Sequence, residues 1–262
     1  MAKRLAAVRG DYVSKAAPKS PAKAAERFTG FTPALDHFFA DLAENMNREW
    51  FIANKPRFER SARVPLNRLL TALTLALAVR DIPLTGDPKT SIFRINRDIR
   101  FSNDKSPYKL NVSCALTRDG SKQAQGLLYI QVGLGGTFIA AGFYGPAPEQ
   151  LAAFRDEIAD HPKRWSETCA ILAAAGLDLS RADTLARLPR GFDADRAGDH
   201  ADDIRLKSFV VRREITSARR DSPDLVVDIS DFAAAALPLL RFGWSALTRV
   251  AAPTHLRGPS RR

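Results

Sequence analysis

Between residues 111 and 143 the chain places three short apolar runs in quick succession with turn-forming residues between them. This crowding of strand-like segments limits the fold more than any other feature of the sequence. The runs are residues 111–118, 127–133 and 137–143; Asp119 and Gly120 mark the first reversal, Gly135 and Gly136 the second. Such short connections join antiparallel neighbours, so the region reads as a meander. Gly133, Gly135 and Gly136 have the look of a phosphate loop, but no helix start follows them, and a hairpin turn is the better reading.

Helical periodicity brackets the meander. Thr32 and Pro33 read as an N-cap and a first helical residue. Leu35, Phe38, Phe39, Leu42 and Met46 then recur on one face, with His37 off the stripe. Pro56 predicts a boundary or kink in the next helical segment, which resumes as far as Arg63. Trp50 and Phe51 read as core anchors, flanked by Asn47, Arg48 and Lys55. Residues 66–79 are apolar nearly all round, as in a buried helix, and 81–90 form a loop. Beyond the meander, Pro148 opens a helix to about Asp160, and another over 163–175 stops at Gly176. Residues 207–216 read as a strand, 225–229 as a short one, and 230–248 as a final helix capped by Ser230 or Asp231 and kinked at Pro238. Strands clustered rather than alternating with helices predict an α+β fold, a mostly antiparallel sheet packed with helices, the N-terminal helices coming before the central strands.

Charge separates the chain into parts. The net charge of +11 suits a nucleic-acid binder at first sight. However, residues 1–27 hold +5 of it and residues 251–262 hold +3, leaving +3 for everything between. The expected organisation is a basic disordered tail over 1–27, a single α+β domain over 28–250 and a short basic tail over 251–262. Cys114 and Cys169 have no CxxC or other metal or redox spacing and read as reduced thiols. The N-terminus lacks a secretory apolar stretch, and the longest apolar run, residues 69–79, falls short of the roughly 20 residues of a membrane span. A cytoplasmic location is therefore expected, with no membrane partner. Asp193, Asp195, Asp199, His200, Asp202 and Asp203 match no calcium-loop or zinc template, so no metal is assigned. No dinucleotide or other cofactor fingerprint is read either.

Chemistry concentrates in residues 91–111, SIFRINRDIRFSNDKSPYKLN. Read as a strand, the first half puts Phe93, Ile95, Ile99 and Phe101 on one face, interrupted by Arg97, and Arg94, Asn96, Asp98 and Arg100 on the other. Ser, Asn, Asp and Pro then signal a turn. Five cations, Arg94, Arg97, Arg100, Lys105 and Lys109, and two carboxylates, Asp98 and Asp104, fall within sixteen residues, with Tyr108 adding a phenol. Arginine forks suit phosphate or carboxylate, and the lysines supply point charges. Asp98 and Asp104 are the candidate catalytic groups, as an orienter of the arginines or as an acid or base; the five cations and Tyr108 are the candidate ligand contacts.

The string RDxRFSxDKxPYK (residues 97–109) does not stand alone. FTGF (28–31), NREWF (47–51), GFYGP (142–146), LPRGF (188–192) and LKSF (206–209) occur in order along the chain around it, and the whole resembles a conserved-hypothetical family, domain of unknown function 2461, over approximately residues 28–244. The chain departs from the family pattern at Asn45, Met46 and Asn47 before the Trp-Phe pair, and at Asn96 before Arg97 and Asp98. The resemblance implies no particular reaction.

Three functional readings follow. The first is a site for an anionic small molecule, with or without turnover. The second is a structural or protein-binding module in which Arg94, Asp98, Arg100 and Asp104 form a fold-specifying ion-pair network. The third is nonspecific nucleic-acid binding through the basic tails, which is weak and salt-sensitive.

Overall fold

Each glycine-marked reversal closes an antiparallel pair. In the computed structural model, which describes residues 27–98, 100, 103 and 105–251, β1 (Asn111–Leu116), β2 (Leu127–Gly133) and β3 (Thr137–Phe143) form the expected meander. The last strand, β4 (Phe209–Ile215), lies antiparallel beside β3, so among the described residues the sheet is four-stranded in the order β1-β2-β3-β4. The fold is α+β, with helices before, between and after the strands. Both tails, and also Ile99, Phe101, Ser102 and Asp104, lie outside the described residues.

Strand alternation decides which face meets the helices. Val112, Cys114 and Leu116 pair with Val132, Ile130 and Leu128, and Ile130 and Leu128 pair in turn with Ile139 and Ala141; all are buried. Against this face pack α1 (Pro33–Glu44), α3 (Val64–Val79) and α9 (Leu225–Ala251), with α4 (Pro148–Asp160) and α5 (Pro162–Ala174) outside α9. The α1 stripe is as the periodicity predicts: Leu35, Phe38, Phe39 and Leu42 are buried and His37 is exposed. Between α4, α5, α9 and the end of the sheet, Phe154 stacks on Phe209 with centroids 3.9 Å apart, and Trp165, Phe143 and Phe242 surround them. Gly243 is what lets α9 come this close, because a Cβ there would overlap the rings of Phe143 and Phe154. Beside this cluster the buried Glu157 carboxylate of α4 meets Arg164 of α5 and Arg249 of α9, each at 2.8 Å.

Several expectations need correcting. Pro56 ends nothing: α2 (Arg48–Phe58) runs through it, passes into a π-helical turn (Glu59–Arg63) and continues as α3. The irregular turn lies directly before Pro65, whose ring would press on the Ser61 carbonyl in a regular helix; the wider turn gives it room. The resulting rod, Arg48–Val79, is 32 residues long and apolar enough to cross a membrane by length and composition, more than residues 69–79 alone suggest. Its leucines Leu66, Leu69, Leu70, Leu73 and Leu77 are in the core, while Leu75 and Val79 are exposed, so α3 is buried on one side only. Residues 225–229 are not a strand but the start of α9, which also carries Pro238 inside it. Ser230, expected as a cap, sits within this helix and donates to the Val226 carbonyl at 2.7 Å. Three short helices, α6 (Ala194–Ala197), α7 (Ala201–Ile204) and α8 (Ser217–Arg220), are ones that periodicity does not reveal.

Candidate functional site

The charged stretch is extended backbone without being a regular strand. Phe93 N–H donates to the Ser113 carbonyl at 2.9 Å and Ala115 N–H to Ser91 at 3.0 Å, which lays residues 91–93 along β1. Further on, Arg97 N–H donates to Pro107 (2.9 Å) and Lys109 N–H to Ile95 (2.8 Å), which closes residues 95–109 into a loop of their own. The contacts remain isolated bridges, Ile92 with Cys114 and Asn96 with Tyr108. Pro107 has no N–H to return, so the ladder cannot run on regularly past it. The alternation survives in part: Ile95 is buried, whereas Arg94, Asn96, Asp98 and Arg100 are exposed.

Burial, and after it the charges of Arg94 and Arg97, holds the Lys109 ammonium below the ordinary lysine range. Lys109 Nζ stands 5.8 Å from the centre of the Phe93 ring. Lys122, from the β1–β2 connection, brings its own Nζ to 5.4 Å from the same ring and donates to the Ile92 carbonyl at 3.2 Å. Two ammonium groups therefore stand over one aromatic side chain, within reach of the Arg94 and Arg97 charges, on the segment that lies along the outer edge of β1. Asp98 turns instead to Arg100, accepting from Nε at 2.9 Å and from Nη2 at 2.7 Å. That side-chain bond, then the Arg100 backbone N–H, then the Arg94 charge, lowers the Asp98 carboxyl below its usual range despite a small opposing effect of burial. A carboxylate with so little proton affinity is a poor base near neutral pH and a good orienter of an arginine.

The other members of the stretch separate. Tyr108 is 5% exposed and stacks on Phe51 at 4.5 Å, so its ring is a packing element; with Trp50, 5.8 Å from Phe38, it confirms that this aromatic cluster belongs to the core. Lys105 is exposed, and Asp104 lies outside the described residues. Asn47 caps α2, its side chain accepting from Trp50 N–H at 2.9 Å. Lys122, Tyr129, Phe138 and Arg212 lie outside residues 91–111, and nothing within that charged segment points to them. The alternation of Tyr129 and Gln131 against buried Leu128, Ile130 and Val132 was the available signal.

Elsewhere the titratable groups serve packing. Ser166, His200 and Asp203 line up as a nucleophile relay would, with His200 Nε2 3.0 Å from Ser166 Oγ. The Nδ1 atom, however, is 3.6 Å from Asp203, too far for a hydrogen bond, and the carboxylate oxygens are already taken by Trp165 Nε1 and Arg181, both at 2.8 Å. Arg220 is another buried charge, bonded to Asp221 and to both oxygens of Asp36 at 2.7 Å, which raise its pKa against the opposing effect of burial. The FTGF segment seals this junction: Phe31 N–H donates to the Arg220 carbonyl, and a side chain at Gly30, which has φ +103°, would collide with Asp221. Burial pushes the Cys114 thiol up to about 12 and the Cys169 thiol to about 11, so neither is a thiolate at neutral pH. Two clefts, of about 360 and 380 Å³, open on the helical side, the first between Thr32, His37, Arg57, Arg60 and Ser61 and the second beside Asn67, Ala72 and Leu75. In the first, Arg57 is occupied by Asp41 at 2.7 Å.

Compared with known proteins, residues 34–242 match the model of a family described as a conserved hypothetical protein (DUF2461). No curated protein and no solved structure matches the chain.

Proposed function

Since the chain belongs to the conserved hypothetical family DUF2461, a membership that brings no reaction with it, we propose that it recognises an anion through Arg94, Arg97 and Lys109. The observation that carries this reading is the Lys109 ammonium, half-buried on the Phe93 ring, where burial and then the charges of Arg94 and Arg97 hold its pKa down. Gathering cations costs free energy, and a bound phosphate or carboxylate offsets that cost by neutralising them. Arg100 and Lys105 extend the site outward, with Asp98 orienting Arg100. The alternative, a fold-specifying ion-pair network, is less well supported: among the described residues the Asp98–Arg100 pair joins residues two apart in a solvent-exposed position, where an ion pair contributes little.

Thermal unfolding of the full-length protein with inorganic phosphate, pyrophosphate and citrate tests the reading, with sodium chloride at equal ionic strength as control. A specific anion at a hundred times its dissociation constant stabilises by about 2.7 kcal/mol. Lys109→Met should abolish that gain without lowering the melting temperature in chloride. Equal shifts in both proteins would reduce the effect to general salting and end the proposal.

A further inference from the structure

The face of the sheet turned away from the helices carries its own pattern. In register across the four strands it presents Ser113 and Ala115, then Gln131 and Tyr129, then Phe138 and Ala140, then Glu214 and Arg212. Large side chains stand beside small ones. Phe93, bonded to the edge of β1 through Ser113, joins the same face, and the rings form a row: Phe93 to Tyr129 at 6.0 Å, Tyr129 to Phe138 at 5.8 Å. All three rings are partly exposed. Cations stand at both ends, Lys109 and Lys122 at Phe93 and the Arg212 guanidinium 3.7 Å above Phe138, where it also pairs with Glu214.

We propose that this face binds single-stranded nucleic acid. The proposal rests on the anion reading above and extends it along the sheet. Bases stack on Tyr129 and on the Phe138–Arg212 plane, while Lys109, Lys122, Arg94 and Arg97 hold backbone phosphates at the β1 edge. Ser113, Ala115 and Ala140 are buried beneath the row, and a row of partly exposed aromatics on an antiparallel sheet, flanked by basic side chains, is the arrangement by which sheet-based modules take unpaired bases. One small anion cannot reach both cationic ends of the row, whereas a strand of several nucleotides can. Glu214, paired with Arg212, tethers the guanidinium that stands over the Phe138 ring.

Fluorescence anisotropy of the full-length protein with labelled oligouridylate and oligothymidylate, alongside competition by inorganic polyphosphate, tests the face. The basic residues at the chain ends act alike in every variant, so differences between variants report on the sheet. Tyr129→Leu and Phe138→Leu should each weaken binding of either oligomer about five- to a hundredfold and leave polyphosphate binding unchanged. Tyr129→Phe, which keeps the ring, should bind as the parent does and guards against a folding artefact. Lys109→Met should weaken both ligands. Leucine variants that bind oligomers like the parent, with polyphosphate binding still dependent on Lys109, would overturn the nucleic-acid proposal and leave the anion site standing. Binding of neither ligand that depends on Lys109 would remove both.

Discussion

Lys109 shows how a single side chain reports on a site. Its folded pKa lies below the unfolded value, so the unfolded chain binds the proton more tightly and stability rises with pH between the two. Below the folded value the charge is a full cost; above the unfolded value it is none. Lys109→Met should therefore raise the melting temperature at neutral pH, and the gain should shrink as pH rises through the alkaline range. In the presence of a binding anion the order should reverse, because only the parent gains from the ligand; a pH series of melting curves with and without pyrophosphate reads both effects. At this scale the sequence was informative about which groups are charged, since Arg94, Arg97 and Lys109 fall within one segment. It was silent about Lys122, which arrives from another turn, and it offered Tyr108 as a polar contact although its ring is buried against Phe51.

Elements are held together by contacts whose partners lie far apart in the chain. Arg220 of α8 joins the N-terminal helix through Asp36, 184 residues away, and is almost wholly buried. Arg220→Ala should cost about 2–4 kcal/mol in chemical denaturation, toward the lower end of what a broken buried pair costs because Asp36 stays partly open to water. A loss near zero would mean water replaces the guanidinium freely. In α9, Gly243→Ala adds helix propensity worth about 1 kcal/mol but forces a methyl into Phe143 and Phe154, and overpacking of this kind costs about 1–3 kcal/mol. Net destabilisation is expected; an increase in melting temperature would show that α9 moves off the sheet without penalty. Residues 225–229 explain one misreading at this scale. Five residues, four of them apolar, fit a short strand and a helix turn equally well, and only the continuous packing of Leu225, Ile229, Phe232 and Ala236 settles the period.

Across the whole molecule one contiguous set of buried side chains runs from Phe28 to Ala246 and takes in residues of both faces of α9 and the inner face of the sheet. Such a core predicts a single cooperative transition. Fluorescence from Trp50, Trp165 and Trp244, which sit in different parts of it, should fall on the same denaturant curve as far-ultraviolet circular dichroism. Two separated transitions would divide the chain into independent units. The charge distribution belongs to this scale too. With most of the basic excess outside residues 28–250, any nucleic-acid affinity measured on the whole protein would contain a salt-sensitive part common to all variants. The ring substitutions isolate what the sheet adds.

Local patterns were enough to determine the antiparallel meander, the first helix and its buried stripe, the two helices after Pro148 and the position of the charged stretch. Turn residues, caps and periodicity act over a few neighbours and can be read in order along the chain. Only tertiary structure decided that Pro56 is carried through a continuous rod, that residues 225–229 open a helix, and that Arg220 closes on Asp36. It alone brought Phe93, Lys122, Tyr129, Phe138 and Arg212 onto one face. Each of these depends on strand register or helix packing between segments tens of residues apart, where the deciding contacts outweigh local propensity.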